Sequence, residues 1–166
     1  MKKILKKIFL LLGIMLLLLQ FYPRSYNNRK ISASNYSIEK YHQVSDSVMS
    51  ILVTSCYDCH SNQSTYPWYA DIQPVNWWLN KHIEEGKEEL NFSLFGQYTI
   101  RRQYHKLKEI KEQVQENEMP LTSYTLIHRK AQLSDQQKIC IQNWATSLRD
   151  SFETVYPADS LKRKRK

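Results

Sequence analysis

The most uneven stretch of the chain is its start. Lysines stand at positions 2, 3, 6 and 7, and an apolar run from Ile8 to Tyr22 follows, with Gln20 near its end. A basic lead before an apolar core is the pattern of an export segment. At about 1.5 Å per residue the run reaches only about 22 Å, short of a ~30 Å hydrocarbon layer unless Ile4, Leu5 and snorkelling lysines lengthen it. No small-residue cleavage pattern follows Gln20, and no cysteine stands near to accept a lipid. Residues 1–22 therefore read as an uncleaved membrane anchor in preference to a cleaved signal, and both readings put the remainder outside the cytoplasm. Residues 23–43 are polar, rich in Ser and Asn and without period, which reads as a tether.

Beyond residue 44 the apolar positions recur at helical spacing. Val48, Ile51 and Leu52 predict a helix over about 46–55, capped by Ser45 and running into Cys56. Pro74 suits the first turn of a second helix reaching about Lys87. Ile100, Tyr104, Leu107, Ile110 and Val114 predict a third over about 98–116, stopping before Pro120. Ser134 and Gln137 form a capping box at the start of a fourth, whose apolar face carries Ile141, Trp144, Ala145 and Leu148. No segment alternates convincingly enough to be a strand. The expected organisation is an anchor (1–22), a tether (23–43), an all-α domain (44–152) and a basic tail (153–166).

Charge changes the picture less than its total suggests. The 166 residues hold 24 Lys and Arg against 16 Asp and Glu, a formal net of +8. Residues 31–161, however, carry 12 basic and 16 acidic side chains, a net of −4. The positive charge sits at the two ends, so the overall balance is no argument for a nucleic-acid partner, which calls for Lys and Arg clustered on a folded face. Three glycines in the whole chain argue against turn-rich β architecture and phosphate-cradling loops.

Candidate chemistry concentrates at Cys56-Tyr-Asp-Cys59-His60, a C-x-x-C-H sequence of the kind that attaches c-type haem. Two thiols three residues apart can each add to one porphyrin vinyl group, and the next imidazole then faces the iron. A dithiol redox pair uses the same C-x-x-C in a βαβ setting that this strand-poor chain lacks. A Cys56–Cys59 disulfide would be strained, and zinc would need further ligands. Cys140 reads as a small buried apolar residue.

With His60 proximal, the sixth ligand decides the chemistry. Met1 and Met15 lie in the export segment and Met49 on the helix leading to the attachment site, which leaves Met119, held beside Pro120 between two predicted helices. His82 and His128 are its rivals as metal ligands, His42 a weaker one, and His105 sits in a charged run expected to be solvated. The aromatics from Tyr66 to Trp78 suggest a pocket wall, with Trp68 and Trp77 as candidates to line haem. The acidic pairs 84–85 and 88–89 and the Lys/Glu alternation over 106–118 read as solvated faces.

Residues 56–69 (Cys-Tyr-Asp-Cys-His-Ser-Asn-Gln-Ser-Thr-Tyr-Pro-Trp-Tyr), 72–79, 82–87, 91–93 and 119–128 (Met-Pro-Leu-Thr-Ser-Tyr-Thr-Leu-Ile-His) resemble the small bacterial haem-binding domain family with a C-x-x-C-H motif. The likeness spans about residues 40–150. Met-Pro followed by Leu-Ser-Asp-Gln-Gln also resembles the last third of ordinary cytochromes c. Membership would imply a monohaem, cytochrome-c-like helical domain, often exported or membrane-tethered, and would leave its reaction undefined. The expected function is a membrane-anchored cytochrome, not an enzyme, passing single electrons to a redox protein partner on the periplasmic side of the bacterial cytoplasmic membrane. Its haem c would be bound through Cys56 and Cys59. A haem-based sensor of small ligands and a thiol oxidoreductase are the alternatives.

Overall fold

The computed structural model describes residues 1–26 and 35–162. Its regular elements are α1 (Lys2–Leu19), α2 (Ile38–Tyr41), α3 (Asp46–Ser55), α4 (Tyr57–His60), α5 (Val75–Glu89), α6 (Ile100–Gln115), α7 (Thr122–Ile127), α8 (Asp135–Val155) and α9 (Ala158–Leu161). Short 3₁₀ turns lie at Trp68–Asp71, Phe92–Gln97 and Arg129–Ala131. No strand occurs among the described residues, so the all-α expectation holds. Residues 27–34 of the expected tether and 163–166 of the basic tail lie outside the described residues.

The four helices read from the apolar period are α3, α5, α6 and α8. Ser45 caps α3 by accepting the Val48 N–H, Thr99 caps α6 by accepting the Arg102 N–H, and Ser134 and Gln137 close a reciprocal capping box on α8. Pro74 is the N-cap of α5, one position before the expected first turn. Helices α6 and α8 form the most extensive pairing. Tyr104, Leu107, Ile110 and Val114 of α6 and Ile141, Ala145 and Phe152 of α8 meet Val48, Ile51 and Leu52 of α3 in the main core. A smaller cluster of Ala70, Leu79 and Ile83 lies beneath α5.

Three boundaries need correction. Ile38 and Leu161 are buried in the main core, so the folded domain is wider than 44–152 at both ends. Helix α2 is held against the Phe92–Gln97 turn, where the Gly96 N–H donates to the Tyr36 carbonyl, and α9 packs on α6. Second, the end of α1 and the start of the expected tether are bonded to the domain. The Gln20 amide donates to the Gln73 carbonyl (2.9 Å) and accepts the Gln73 N–H (3.0 Å), while Ser25 and Asn76 exchange a similar pair (3.0 and 3.1 Å). Third, the single-pass span expected over 1–22 is not met. No helix among the described residues is long and apolar enough to cross a membrane. The four lysines occupy the first six residues of α1, and the twelve that follow rise only about 18 Å.

Candidate functional site

Helix α3 ends at Cys56, whose backbone leaves the helical region before α4 begins, and α4 is a single turn carrying Cys59 and His60. The Cys59 and His60 N–H groups both donate to the Cys56 carbonyl, at 3.2 and 2.9 Å. This turn sets the two thiols and the imidazole along one wall of a cavity of about 220 Å³. A second cavity of about 340 Å³ adjoins it, and Cys56, His60, Glu89 and Met119 line both.

His60 is fixed by its second nitrogen. Nδ1 lies 2.8 Å from the Gly86 carbonyl and 3.1 Å from the Leu90 carbonyl. Carbonyls only accept, so Nδ1 carries the proton and Nε2 keeps its lone pair. Burial is the main cause holding the His60 pKa below its usual 6.5, with the two carbonyl bonds acting against it. A neutral imidazole held this way is the usual state of a metal-ligating histidine.

The carbonyl of Gly86 can come this close because Gly86 has no side chain. A Cβ there would stand 2.8 Å from the Cys59 carbonyl oxygen and 3.3 Å from the Cys59 Cβ. Position 86 is one of only three glycines, and a lone glycine inside a helical pattern marks a packing constraint without naming its partner.

Met119 reaches the cavities through the ending of α6. Asn117 takes a positive φ of 60°. The Asn117 N–H then donates to the Val114 carbonyl and the Glu118 N–H to the Gln113 carbonyl, the paired bonds of a Schellman ending. The Met119 N–H also donates to Gln113 (3.2 Å). The chain reverses there, and Met119 comes to line the same space as His60.

The loop after Met119 is tied to the attachment turn. The Tyr124 hydroxyl donates to Asp58 Oδ2 (2.6 Å), and Asp58 Oδ1 accepts the Thr65 N–H (2.9 Å). Tyr124 lines the first cavity and stacks on His128 at 4.4 Å. His128 Nε2 hydrogen-bonds the Tyr69 hydroxyl at 2.6 Å. His128 lines neither cavity, so of the two rival histidines only His82 faces the site; its Nδ1 donates to the Trp78 carbonyl (2.8 Å). His42 is engaged by Gln103 between the rings of Phe95 and Phe152, and His105 pairs with Glu109 on the surface.

Two expected wall residues are elsewhere. Around Pro67, Tyr66 before it and Tyr69 in the turn after it face the small core, and Trp68 is left 77% exposed. Helix α5 turns Asn76, Leu79, Asn80 and Ile83 inward, so Trp77 falls on another face, edge-on to Tyr22 at 4.9 Å. Neither tryptophan lines the cavities. Of the residues read as solvated faces, Glu85 and Glu89 are exposed as expected although they edge the cavities, and Lys106 is the correction. All three line the cavities, and the buried Lys106 ammonium sits 3.0 Å from Glu89 and 2.7 Å from Glu109.

Cys56 and Cys59 are free thiols. Burial pushes the Cys56 pKa up to about 12, with Cys59 adding to it, and burial followed by the Asp58 carboxylate pushes Cys59 up to about 11. Redox-active dithiols show the opposite shift. Two thiols, an imidazole with a free Nε2 and a thioether around a largely apolar space form a donor set that fits haem iron and the edge of its macrocycle. No cluster of three or more His, Cys, Asp or Glu suited to a bare metal ion occurs among the described residues.

No curated protein and no solved structure matches the chain. Residues 14–147 match the family model described as a haem-binding domain. With that match over most of its length and a donor set of this kind in its folded body, the chain belongs to the haem-binding domain family.

Proposed function

We propose that the protein is a c-type monohaem cytochrome, its haem attached through Cys56 and Cys59 with His60 as the proximal ligand and Met119 as the distal one. The observation that carries this is the His60 ring, whose Nδ1–H is spent on the Gly86 and Leu90 carbonyls while the cavity it lines also holds both thiols and Met119. When bound, the haem supplies reversible one-electron chemistry. The two carbonyls hold the His60 tautomer and ring angle. Met119 offers a neutral, soft sulfur, which favours the ferrous state and a higher potential than imidazole would. The Asp58–Tyr124 bond keeps the Met119 loop closed over the attachment turn, and the surrounding apolar side chains exclude water.

In this reading the protein is no enzyme in its own right. It passes electrons to a redox protein on the periplasmic side of the bacterial cytoplasmic membrane, with residues 1–22 holding it to lipid. The net charge of −4 over residues 31–161 suits a partner with a basic patch and no nucleic acid. The desolvated, protonated thiols speak against a thiol oxidoreductase.

The test is the ferric absorption spectrum of protein matured with haem. A six-coordinate low-spin form with a methionine-to-iron charge-transfer band, lost in Met119→Ala, is expected. A five-coordinate high-spin form that binds carbon monoxide readily would replace this reading with that of a small-ligand sensor.

A further inference from the structure

Residues 68–78 carry three of the four tryptophans, and all three face outward: Trp68, Trp77 and Trp78 are 77%, 41% and 49% exposed, with Ile72 at 40% beside them. Large aromatics left outside a fold that has two apolar clusters to receive them mark a contact surface. Between Tyr66 and Asn80 the only charged residue is Asp71, which takes a hydrogen bond from Tyr26. What that surface meets is indicated by the chain fastened to it. Gln20, at the end of α1, is bonded both ways to Gln73, Ser25 both ways to Asn76, and Tyr22 packs on Trp77. Helix α1 has no buried residue, and its apolar side chains from Ile8 to Leu18 are exposed. Whatever medium α1 enters, residues 68–78 sit at its mouth.

We infer that Trp68, Ile72, Trp77 and Trp78, with the exposed Phe21, form a collar that lies in the headgroup region of the lipid leaflet entered by α1. This deepens the proposed membrane association and rests on it. Tryptophan and tyrosine suit that region because each pairs a large apolar ring with a polar group that stays hydrated. Seated in this way, the domain is held at the surface in one orientation instead of swinging on a tether, and the side of α5 that bears His82 and Gly86 keeps a set angle to the membrane.

The test uses full-length haem-loaded protein in vesicles of phosphatidylcholine and phosphatidylglycerol, with the photo-crosslinker p-benzoylphenylalanine replacing one residue at a time. Phe9 reports on α1, Trp68 and Trp77 on the collar, and Ile139 and Val155, exposed apolar residues of α8, serve as controls. Lipid adducts at 68 and 77 several-fold above those at 139 and 155 are expected, with adducts at 9 as well. Adducts at 9 alone would overturn the collar and leave the membrane association standing. Adducts at none of the positions would overturn both. Equal adducts at all positions, or adducts at 68 and 77 to protein instead of lipid, would overturn the collar.

Discussion

Replacing Gly86 by alanine places a methyl group 2.8 Å from the Cys59 carbonyl oxygen, where ordinary contact begins near 3.4 Å. Both the oxygen and the Cys59 Cβ belong to the attachment turn, so no flexible side chain can swing clear. Helix α5 must retreat by about 0.6 Å, which stretches the His60 Nδ1 bond to Gly86 from 2.8 Å towards 3.4 Å and the one to Leu90 beyond its present 3.1 Å; bonds of that length are nearly lost. Overpacking costs about 1–3 kcal/mol, against which alanine regains about 1 kcal/mol of helix propensity. The apoprotein should therefore lose up to about 2 kcal/mol in urea unfolding. In the haem-loaded protein the freed imidazole should let go of iron at a higher pH on acid titration than in the parent, since partners of a ligating histidine are worth 10–100-fold in ligation. Gly13→Ala is the control, because a Cβ there meets nothing within 4 Å. A Gly86→Ala protein as stable as the parent with an unchanged acid transition would refute the close approach of α5 to the attachment turn.

Apoprotein stability should fall on both sides of neutrality. Below about pH 6.5 the unfolded chain protonates its histidines while buried His60 resists; His60→Gln should flatten that limb of urea midpoints. Above about pH 9 the unfolded thiols ionise while the folded ones stay protonated to about 11 and 12. Stability then declines with pH, and the limb should shrink and begin nearer pH 10 in Cys56→Ala/Cys59→Ala and in haem-loaded protein, where thioethers cannot titrate and only tyrosines raised mainly by burial, such as Tyr57 and Tyr124, still resist ionisation. Tyr124→Phe removes a half-buried hydrogen bond to a carboxylate, worth about 1.5 kcal/mol, and should weaken the methionine-to-iron band without abolishing it. Trp68→Ala should leave the haem spectrum unchanged, since Trp68 lies outside the cavities.

The long helices were legible because each has an apolar stripe with few alternatives, and Ser45 and Ser134 announce two of their starts. The short elements α2, α7 and α9 have too few residues for a period; only packing reveals that Ile38 and Leu161 complete the core. At the site, the meeting of Cys56, Cys59 and His60 on one cavity was readable from their spacing, and that of Met119 with them because the other methionines were badly placed. Trp68 and Trp77 misled for a physical reason: an aromatic run in sequence does not say which ring a 3₁₀ turn or a helix face points outward. Gly86, Tyr124 and Lys106 act across 26 to 66 residues of chain or within a closed salt-bridge group, and no local pattern carries such information.

Covalent haem on Cys56 and Cys59, with His60 behind it, is open to direct chemical assay. Its most direct test is to express the chain with a cytochrome c maturation system, denature it in acid and organic solvent, and measure the haem retained per polypeptide by mass and by the pyridine haemochrome spectrum. One haem per chain, with a spectrum showing both vinyl groups saturated, and its loss in Cys56→Ser/Cys59→Ser, is the expected result. Haem that leaves on denaturation, or a chain that matures without haem, would rule out covalent attachment.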